Sequence, residues 1–272
     1  MSGFSISWLD LRESADFAAR DKPLVTQLLA WLASPQASNG AEPLVVDLGA
    51  GTGSTLRAMA RLGAPKFVWR LVDHDGALLD EALKRHRKTF LIEDYQADLT
   101  VMNELPLGGA RLVTASALFD LVSREFVDEL VARLYKQRTG LYAALSYDGI
   151  MAWQPAHPLD AAVLAAFNTD QLRDKGFGQA LGPDAAGYLQ QALTLAGYEV
   201  FTAKSPWMLT AAEASLTSEL VRGISAAVAK GYGLDSAELL DWKTFRLAHT
   251  ASGTCTVGHL DVLALPTSSS AA

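Results

Sequence analysis

The chain has 272 residues, of which 50% are hydrophobic and 19% charged, so it can bury a sizeable core as one large or two small domains. A formal net charge of −7 gives no overall positive field to attract phosphate backbones, which disfavours nucleic acid as a partner. The single cysteine, Cys255, excludes an internal disulfide and a CxxC metal motif, and the scattered histidines show no metal-ligand spacing, so we expect no metal.

Residues 1–40 predict a helical extension that precedes the core of the fold. Its second half carries one apolar stripe, formed by Leu24, Leu28, Leu29, Trp31 and Leu32. A loop with the sequence SPQASNGAEP, residues 34–43, follows and marks the edge of the core. Acidic residues lie near the N terminus, and no run of roughly eighteen uncharged apolar residues occurs, so we expect a cytoplasmic protein without a membrane segment.

Between residues 44 and 204 short β-rich runs alternate with amphipathic helical patterns, which is typical of βαβ units and a parallel sheet. The predicted strands are Leu44–Leu48, Phe67–Asp73, Thr89–Glu93, Arg111–Ala115, Leu141–Ser146 and Tyr198–Lys204. Two of the intervening helices have clear ends, because Ser123 can cap the first, whereas Pro183 opens the second and Gly197 ends it. We expect such helices to cover the faces of the sheet.

Besides residues 1–40, two further segments depart from this alternation, at 148–182 and 209–250. Residues 148–182 are rich in glycine and proline and contain one short helical pattern around Leu159–Phe167, so we expect a lid or a binding loop. Residues 209–250 are predicted to be helical, and residues 253–266 alternate like a last strand. The tail at 267–272 is expected to be disordered.

Three glycines at alternate positions, Gly49, Gly51 and Gly53, lie between the first predicted strand and a helix that starts near Ser54. Glycine is favoured where φ must be positive or where a ligand lies against the backbone, and a helix N-terminus offers free N–H groups. A nucleotide-like ligand is therefore expected at this turn. The dinucleotide fingerprint GxGxxG would need glycine at position 54, and the chain also lacks a Ser-Tyr-x-x-x-Lys pair. Both differences weigh against a nicotinamide-dependent oxidoreductase.

The acid at Asp47, two residues before the first of these glycines, makes the spacing resemble motif I of the class I S-adenosylmethionine-dependent methyltransferases, small-molecule type. The resemblance continues in order through the second strand, the segment 95-YQADL-99 and the segment 111-RLVTASALFDLVS-123. It implies a Rossmann-like, doubly wound α/β fold, in which a mostly parallel seven-stranded sheet has helices on both faces and an antiparallel last strand. It also implies a single domain, with a cofactor-binding half at 41–147 and the second half of the sheet at 183–266.

The same resemblance implies S-adenosylmethionine as the cofactor and S-adenosylhomocysteine as the product. Asp73, at the end of the second strand, would accept hydrogen bonds from both ribose hydroxyls, with Asp75 as the alternative. Asp98 would accept from the adenine amino group, while Leu99 packs on the ring. The implied cofactor-binding residues are Asp47, Gly49, Gly51, Gly53, Asp73, His74, Asp98, Leu99, Ala115 and Ser116.

Methyl transfer from a sulfonium is an in-line displacement, so such an enzyme mainly aligns the acceptor with the methyl group and excludes water. The segment after the fourth strand lacks the [DNS]PP[FYW] tetrad of enzymes that methylate amino groups of DNA and RNA, and it lacks a Pro-Cys nucleophile. We therefore expect transfer to an oxygen or nitrogen of a small molecule. A methyltransferase acting on protein or RNA and a cofactor-binding protein without turnover stay open as alternatives, as does the oligomeric state, a homodimer included.

Polar residues at the carboxyl edge of the sheet are the candidates for the acceptor side. If a general base is needed, His157 is the first choice, because an unperturbed imidazole titrates near neutral pH. Asp148 and Asp120 are the other catalytic candidates, or they bind an amine acceptor. Further acceptor-side candidates are Ser116, Tyr147, Trp153, Asn168, Lys175 and Phe177.

The N-terminal segment 8-WLDLRESADFAAR-20 is a candidate cover for the cofactor. In that case Arg12 or Arg20 can meet the methionine carboxylate, because a guanidinium suits that group. Pairing of these arginines with neighbouring acids at the surface is the alternative.

Overall fold

The computed structural model describes residues 4–34, 42–64 and 66–267. Most of the loop expected at 34–43 and nearly all of the tail at 267–272 lie outside these ranges. Within them, none of the helices combines the length and apolarity that a bilayer crossing needs.

Eight strands form one sheet in the order β3-β2-β1-β4-β5-β8-β6, and β7 pairs with β8 beside this path. The strands are β1 (Leu44–Leu48), β2 (Val68–Asp73), β3 (Leu91–Gln96), β4 (Leu112–Ser116), β5 (Gly140–Gln154), β6 (Tyr198–Lys204), β7 (Trp207–Leu209) and β8 (Thr254–Pro266). β1 to β5 are mutually parallel, whereas β8 runs antiparallel to β5, β6 and β7. The predicted α/β fold with an antiparallel last strand is confirmed, and the short β7 is the strand that the sequence analysis missed.

Helices cover both faces of the sheet. They are α1 (Ile6–Ala19), α2 (Lys22–Leu32), α3 (Ser54–Arg61), α4 (Gly76–His86), α5 (Arg124–Gln137), α6 (Asp160–Gln171), α7 (Ala185–Leu195), α8 (Ala214–Val228) and α9 (Ser236–Ala248). On one face, Leu28 of α2 and Met59 of α3 join a buried cluster with Val45. On the other, Leu130 of α5 joins a cluster with Val46. Adjacent residues of β1 thus point to opposite faces, as the pleat of a strand requires.

The predicted helix ends are confirmed, except that Pro183 lies before α7 and not within it. The Ser123 hydroxyl accepts a hydrogen bond of 3.3 Å from the Phe126 N–H and caps α5. Pro183 lies in a 3₁₀ turn, Gly182–Asp184, directly before α7 rather than inside it. Gly197 follows α7 with a φ of +87°, the conformation in which glycine ends helices.

The expected lid at 148–182 begins as strand, which corrects the sequence-based assignment. β5 continues to Gln154 and pairs with β8 beyond irregularities in register. The first two residues of the expected lid, Asp148 and Gly149, form one of these irregularities, where Asp148 Oδ1 accepts from the Ile150 N–H at 3.0 Å and Gly149 has a φ of +84°. The following helix, α6, is also longer than the predicted pattern at Leu159–Phe167.

The predicted third strand is displaced along the chain. The N–H groups of Thr89 and Phe90 still bond to the carbonyl of His86 at the end of α4, so neither residue is available to the sheet. β3 begins at Leu91 and continues through acidic residues to Gln96, because an edge strand leaves such side chains in solvent.

A buried carboxylate ties the centre of the sheet together. Asp261 of β8 accepts hydrogen bonds from the Tyr142 hydroxyl (2.9 Å), the Leu145 N–H (2.8 Å), the Ser205 hydroxyl (2.6 Å) and the Asp21 N–H (3.3 Å). Leu145 lies in a register irregularity of β5 and has a φ of +58°, which is unfavourable for a branched residue. The Asp261 carboxylate therefore holds the strained backbone at Leu145. It also links that part of β5 to the start of α2 and to the connection between β6 and β7.

Candidate functional site

The glycine turn brings the carboxyl ends of β1 and β2 together. Gly49 and Ala50 donate their N–H groups to the carbonyl of Val72, and the Gly51 N–H donates to Asp73 Oδ2 at 2.8 Å. Gly51 has a φ of +53°, and a Cβ at this position would lie 3.0 Å from Cδ1 of Leu9. Glycine is therefore required here both for backbone conformation and for the close approach of α1.

A cavity of about 120 Å³ opens between this turn, α1 and the ends of β2 and β4. It is lined by Phe4, Leu9, Arg12, Gly49, Gly51, Asp73, His74, Leu78, Asp98, Leu99, Ser116, Ala117, Leu118, Leu121 and Phe177. Its wall is mostly apolar with a few convergent polar groups, which is typical of small-molecule sites. We call this cavity the large lobe.

A second cavity of about 40 Å³, the small lobe, is also lined by Leu9. It reaches the first residues of α3, Ser54 and Thr55, and Asp16 of α1. The residues that line both lobes are Leu9, Arg12, Gly49, Gly51 and Ser116. The two lobes are therefore adjacent and meet at these shared residues.

Helix α1 covers both lobes and is fixed by ion pairs. Arg57 of α3 binds both carboxylate oxygens of Glu13, at 2.7 and 2.6 Å. Arg85 of α4 binds both oxygens of Asp10, at 2.6 and 3.0 Å. The Trp207 indole N–H donates to Asp16 at 3.0 Å. The N-terminal segment thus lies over the glycine turn, as one reading of the sequence expected.

The cofactor-binding residues expected from the sequence divide into two groups. The residues in the cavity wall are Gly49, Gly51, Asp73, His74, Asp98, Leu99 and Ser116. Asp47, Gly53 and Ala115 are buried and are absent from the linings of both lobes, so the structure does not place them at the site as expected. Asp75 caps α4 by accepting from the Ala77 N–H at 2.9 Å, which leaves Asp73 as the acid in the wall.

Asp47 is buried in β1, beside Thr114 of β4. Its Oδ1 accepts from the Thr114 hydroxyl at 2.7 Å, and its Oδ2 has no hydrogen-bond partner in the described part of the chain. Burial raises the pKa of Asp47 to about 7, against the opposing effects of the Thr114 hydrogen bond and the charge of Arg20. Asp47 is therefore bonded to the neighbouring strand β4 and lies outside the linings of both lobes.

The raised pKa of Asp47 predicts a specific pH dependence of stability. The folded protein binds this proton more tightly than the unfolded chain, so the free energy of unfolding should fall as pH rises from about 4 to about 7. In Asp47→Asn this decrease should be smaller by roughly 1–3 kcal/mol, measured by urea unfolding across that range. Asp80→Asn on the exposed side of α4 is the control. Equal pH profiles for wild type and Asp47→Asn would contradict the assignment.

Two of the catalytic candidates are not brought to the cavity. His157 lies under α9, where its Nε2 is 3.3 Å from Asp241 Oδ2, its Nδ1 accepts from the Leu159 N–H, and its ring packs on Phe245 with centroids 4.9 Å apart. Asp148 is enclosed in the irregularity of β5, where a Cβ on Gly258 would lie 2.1 Å from its Oδ1. Both are held by local packing, so neither is placed to act on a ligand in the lobes.

Asp120 differs from these two. It lies in the 3₁₀ turn Phe119–Leu121 directly after β4, and its neighbours Leu118 and Leu121 line the large lobe. It is 9% exposed, and its Oδ1 has no hydrogen-bond partner within the described ranges. Burial raises its pKa to about 6. Asp120 is the one catalytic candidate that the fold places beside the cavity.

Most remaining acceptor-side candidates are engaged elsewhere. The Tyr147 hydroxyl donates to Asn168 Oδ1 at 2.7 Å, and Trp153 packs edge-on against Trp242 with centroids 6.2 Å apart. Lys175 pairs with a neighbouring aspartate at 2.8 Å. Ser116 and Phe177 line the large lobe.

The two N-terminal arginines have different positions. Arg12 lines both lobes, lies over the Trp207 ring, and donates through Nε to Asp16 at 2.8 Å. Arg20 is buried beneath the site, where its Nη2 donates to the Ser116 hydroxyl at 3.1 Å and its Nε and Nη1 have no partner in the described residues. Arg12 is therefore the arginine that can reach a ligand.

The apolar wall formed by Phe4, Leu9, Leu78, Leu118 and Leu121 was missed by the sequence analysis. Apolar residues on helices and turns give the same sequence signal whether they face a core or a cavity. Only Leu118 and Leu121 carried a usable signal, because they directly follow the strand that leads into the expected site.

No protein-family model and no curated protein sequence matches this chain. Among solved structures, the YcgJ protein from Bacillus subtilis is similar over 91% of this chain and 100% of its own, with 16% identity and a TM-score of 0.51. Magnesium protoporphyrin IX methyltransferase from Synechocystis PCC 6803 with bound S-adenosylhomocysteine covers 97% of this chain and 89% of its own, with 13% identity and a TM-score of 0.47. Geranyl diphosphate C-methyltransferase from Streptomyces coelicolor A3(2) covers 89% and 77%, with 11% identity and a TM-score of 0.44. At 16% identity the likeness to the first structure shows the fold alone, and it supports the predicted Rossmann-like arrangement.

Proposed function

We propose that the protein is a class I methyltransferase that transfers the methyl group of S-adenosylmethionine to an oxygen or nitrogen of a small molecule. The observation that carries this proposal is the arrangement of Asp73, whose carboxylate bonds to the Gly51 N–H while lining a cavity between the glycine turn and α1. Residues of the motif that resembles the family thus line an open cavity.

The residues of the two lobes fit this cofactor. In the large lobe, Asp73 retains lone pairs for ribose hydroxyls, and Asp98 can accept from an adenine amino group. Leu78 and Leu99 supply apolar surface for the base. In the small lobe, Arg12 and the N-terminal N–H groups of α3 suit a carboxylate.

The cofactor would supply a methyl group bound to a positively charged sulfur. When the bond between the methyl carbon and the sulfur breaks, the sulfur would keep the electron pair and become part of a neutral thioether. The protein would orient the reactants and exclude water, which is the role that α1 suits as a cover. Ligand sites usually measure about 300–1,000 Å³, more than the volumes of about 120 and 40 Å³ of the two lobes, so we expect the site to widen on binding.

Calorimetry tests the proposal directly. S-adenosylmethionine and S-adenosylhomocysteine should bind, and NAD should not, because Ser54 replaces the third glycine of a dinucleotide fingerprint. Binding of NAD alone would contradict the proposal. Methyl transfer should then be sought with a panel of metabolites, because binding of both ligands without transfer to any acceptor would favour a cofactor-binding protein without turnover.

A pair of glycine substitutions separates ligand binding from backbone strain. Gly51 and Gly63 both have positive φ, but a Cβ on Gly63 would meet nothing within 4 Å. Alanine at either position should lower the free energy of unfolding by about 1–2 kcal/mol. Only Gly51→Ala should also weaken S-adenosylmethionine binding, by roughly tenfold or more, since its methyl group would press on Leu9 inside the site. Equal affinities in the two variants would show that the turn does not hold the ligand.

A further inference from the structure

Asp120 carries a buried charge that no partner neutralises. The cations whose charges act on it are Arg12 of α1 and Lys175 in the segment after α6. Each is already paired, Arg12 with Asp16 at 2.8 Å and Lys175 with Asp170 at 2.8 Å. A carboxylate left in this state is costly in a folded protein, and such groups occur preferentially at functional sites.

The other groups around Asp120 offer no compensation. The Tyr147 hydroxyl, on β5, donates to an asparagine of α6 instead. The turn that contains Asp120 also packs on the 3₁₀ turn before α7, whose Asp184 is exposed, and on α7, whose Tyr188 donates to Asp128 of α5. The structure therefore retains a negative charge beside the cavity that a bound cation would neutralise.

The residues that line both lobes serve as the reference for locating the Asp120 carboxylate. A ligand with its adenosine in the large lobe and its amino-acid portion in the small lobe has its sulfur at the residues that both lobes share. Ser116, the last residue of β4, is one of these residues, and Asp120 follows it four positions later in the chain. Arg12, whose charge acts on Asp120, is another. Asp120 itself lines neither lobe. Its carboxylate lies behind the wall of the large lobe, near enough to Arg12 at the shared residues for the two charges to interact.

We propose that Asp120 makes the site distinguish the charged sulfonium of S-adenosylmethionine from the neutral thioether of S-adenosylhomocysteine. This inference rests on the proposed function, because it assumes that these two compounds occupy the lobes. The carboxylate attracts the sulfonium and loses that attraction when the methyl group has left. Asp120 thereby favours binding of the methyl donor and release of the spent product, and it determines specificity without taking part in bond making.

The test compares dissociation constants measured by calorimetry for S-adenosylmethionine, S-adenosylhomocysteine and sinefungin, a stable analogue with an amine in place of the sulfonium. At pH 8, Asp120→Asn should weaken binding of the two cationic ligands by roughly tenfold and leave that of S-adenosylhomocysteine unchanged. The asparagine keeps the size of the side chain. Asp184→Asn, on the exposed neighbouring turn, should bind all three ligands as wild type does.

Wild-type protein supplies a second measurement that needs no variant. As pH falls from 8 to 5, Asp120 takes up a proton with a pKa near 6, so the preference for S-adenosylmethionine over S-adenosylhomocysteine should shrink. Asp120→Asn should show a smaller change of this ratio with pH, because it lacks the carboxylate that takes up the proton. Equal weakening of all three ligands in Asp120→Asn, or a wild-type ratio that does not change with pH, would overturn the inference. If wild type binds neither S-adenosylmethionine nor its product, the proposed function itself fails.

Discussion

Replacing Asp73 with asparagine is expected to weaken S-adenosylmethionine binding about 100-fold. Hydrogen bonds to a charged acceptor contribute roughly 1.5–3 kcal/mol each, and the proposed function assigns two ribose hydroxyls to this carboxylate. Asparagine keeps one oxygen that can accept from the Gly51 N–H, but it loses the second acceptor and the charge. Calorimetric titration with the cofactor measures the effect.

Asp75→Asn is the matched control for this prediction. Asp75 is two residues away and caps α4 from the solvent side, so its replacement should change cofactor affinity by less than about twofold. A urea unfolding curve for Asp73→Asn separates lost ligand contacts from a displaced glycine turn. If Asp75→Asn weakens binding and Asp73→Asn does not, the assignment of the ribose-binding acid is reversed.

Asp261→Ala is expected to lower the free energy of unfolding by about 3–5 kcal/mol, the largest effect on stability that we predict. The substitution leaves the Tyr142 and Ser205 hydroxyls and the Leu145 N–H without their acceptor inside the protein. It also removes the bond that holds Leu145 at positive φ. Urea or thermal unfolding monitored by circular dichroism would measure the loss.

Two variants bracket this prediction. Asp261→Asn retains one acceptor oxygen and should lose less stability than the alanine variant. Asp94→Ala removes an exposed aspartate from the edge strand β3 and should change stability by less than about 0.5 kcal/mol. A loss in Asp261→Ala no greater than that in Asp94→Ala would show that the buried network does not stabilise the sheet.

Much of the sheet could be predicted from sequence, because its parallel strands are short apolar runs bounded by turn residues. β1 and β6 have the predicted bounds. The extension of β5 could not be predicted, since its Asp148-Gly149 pair has the composition of a turn and becomes strand only through pairing with β8. Tertiary pairing, and not local preference, decides such a segment.

The candidate site shows the same division. Asp73 and Asp98 could be located because the first ends a strand and the second follows one, at fixed places in a motif, and both line the cavity. Leu9 could not be, because its role depends on α1 crossing the glycine turn from a distant part of the chain. His157 was selected for its chemistry alone, and the packing of α9 places it elsewhere.

The order of the strands in the sheet also affects how the polypeptide folds during synthesis. β8 is synthesised after the other seven strands of this sheet but lies between β5 and β6, so these two strands cannot complete their hydrogen bonding until residues 254–266 have left the ribosome. Until then both present open strand edges, which are the surfaces that recruit chaperones or aggregate. The sheet should therefore be completed only after β8 has emerged, in a slow step governed by contacts between distant parts of the chain.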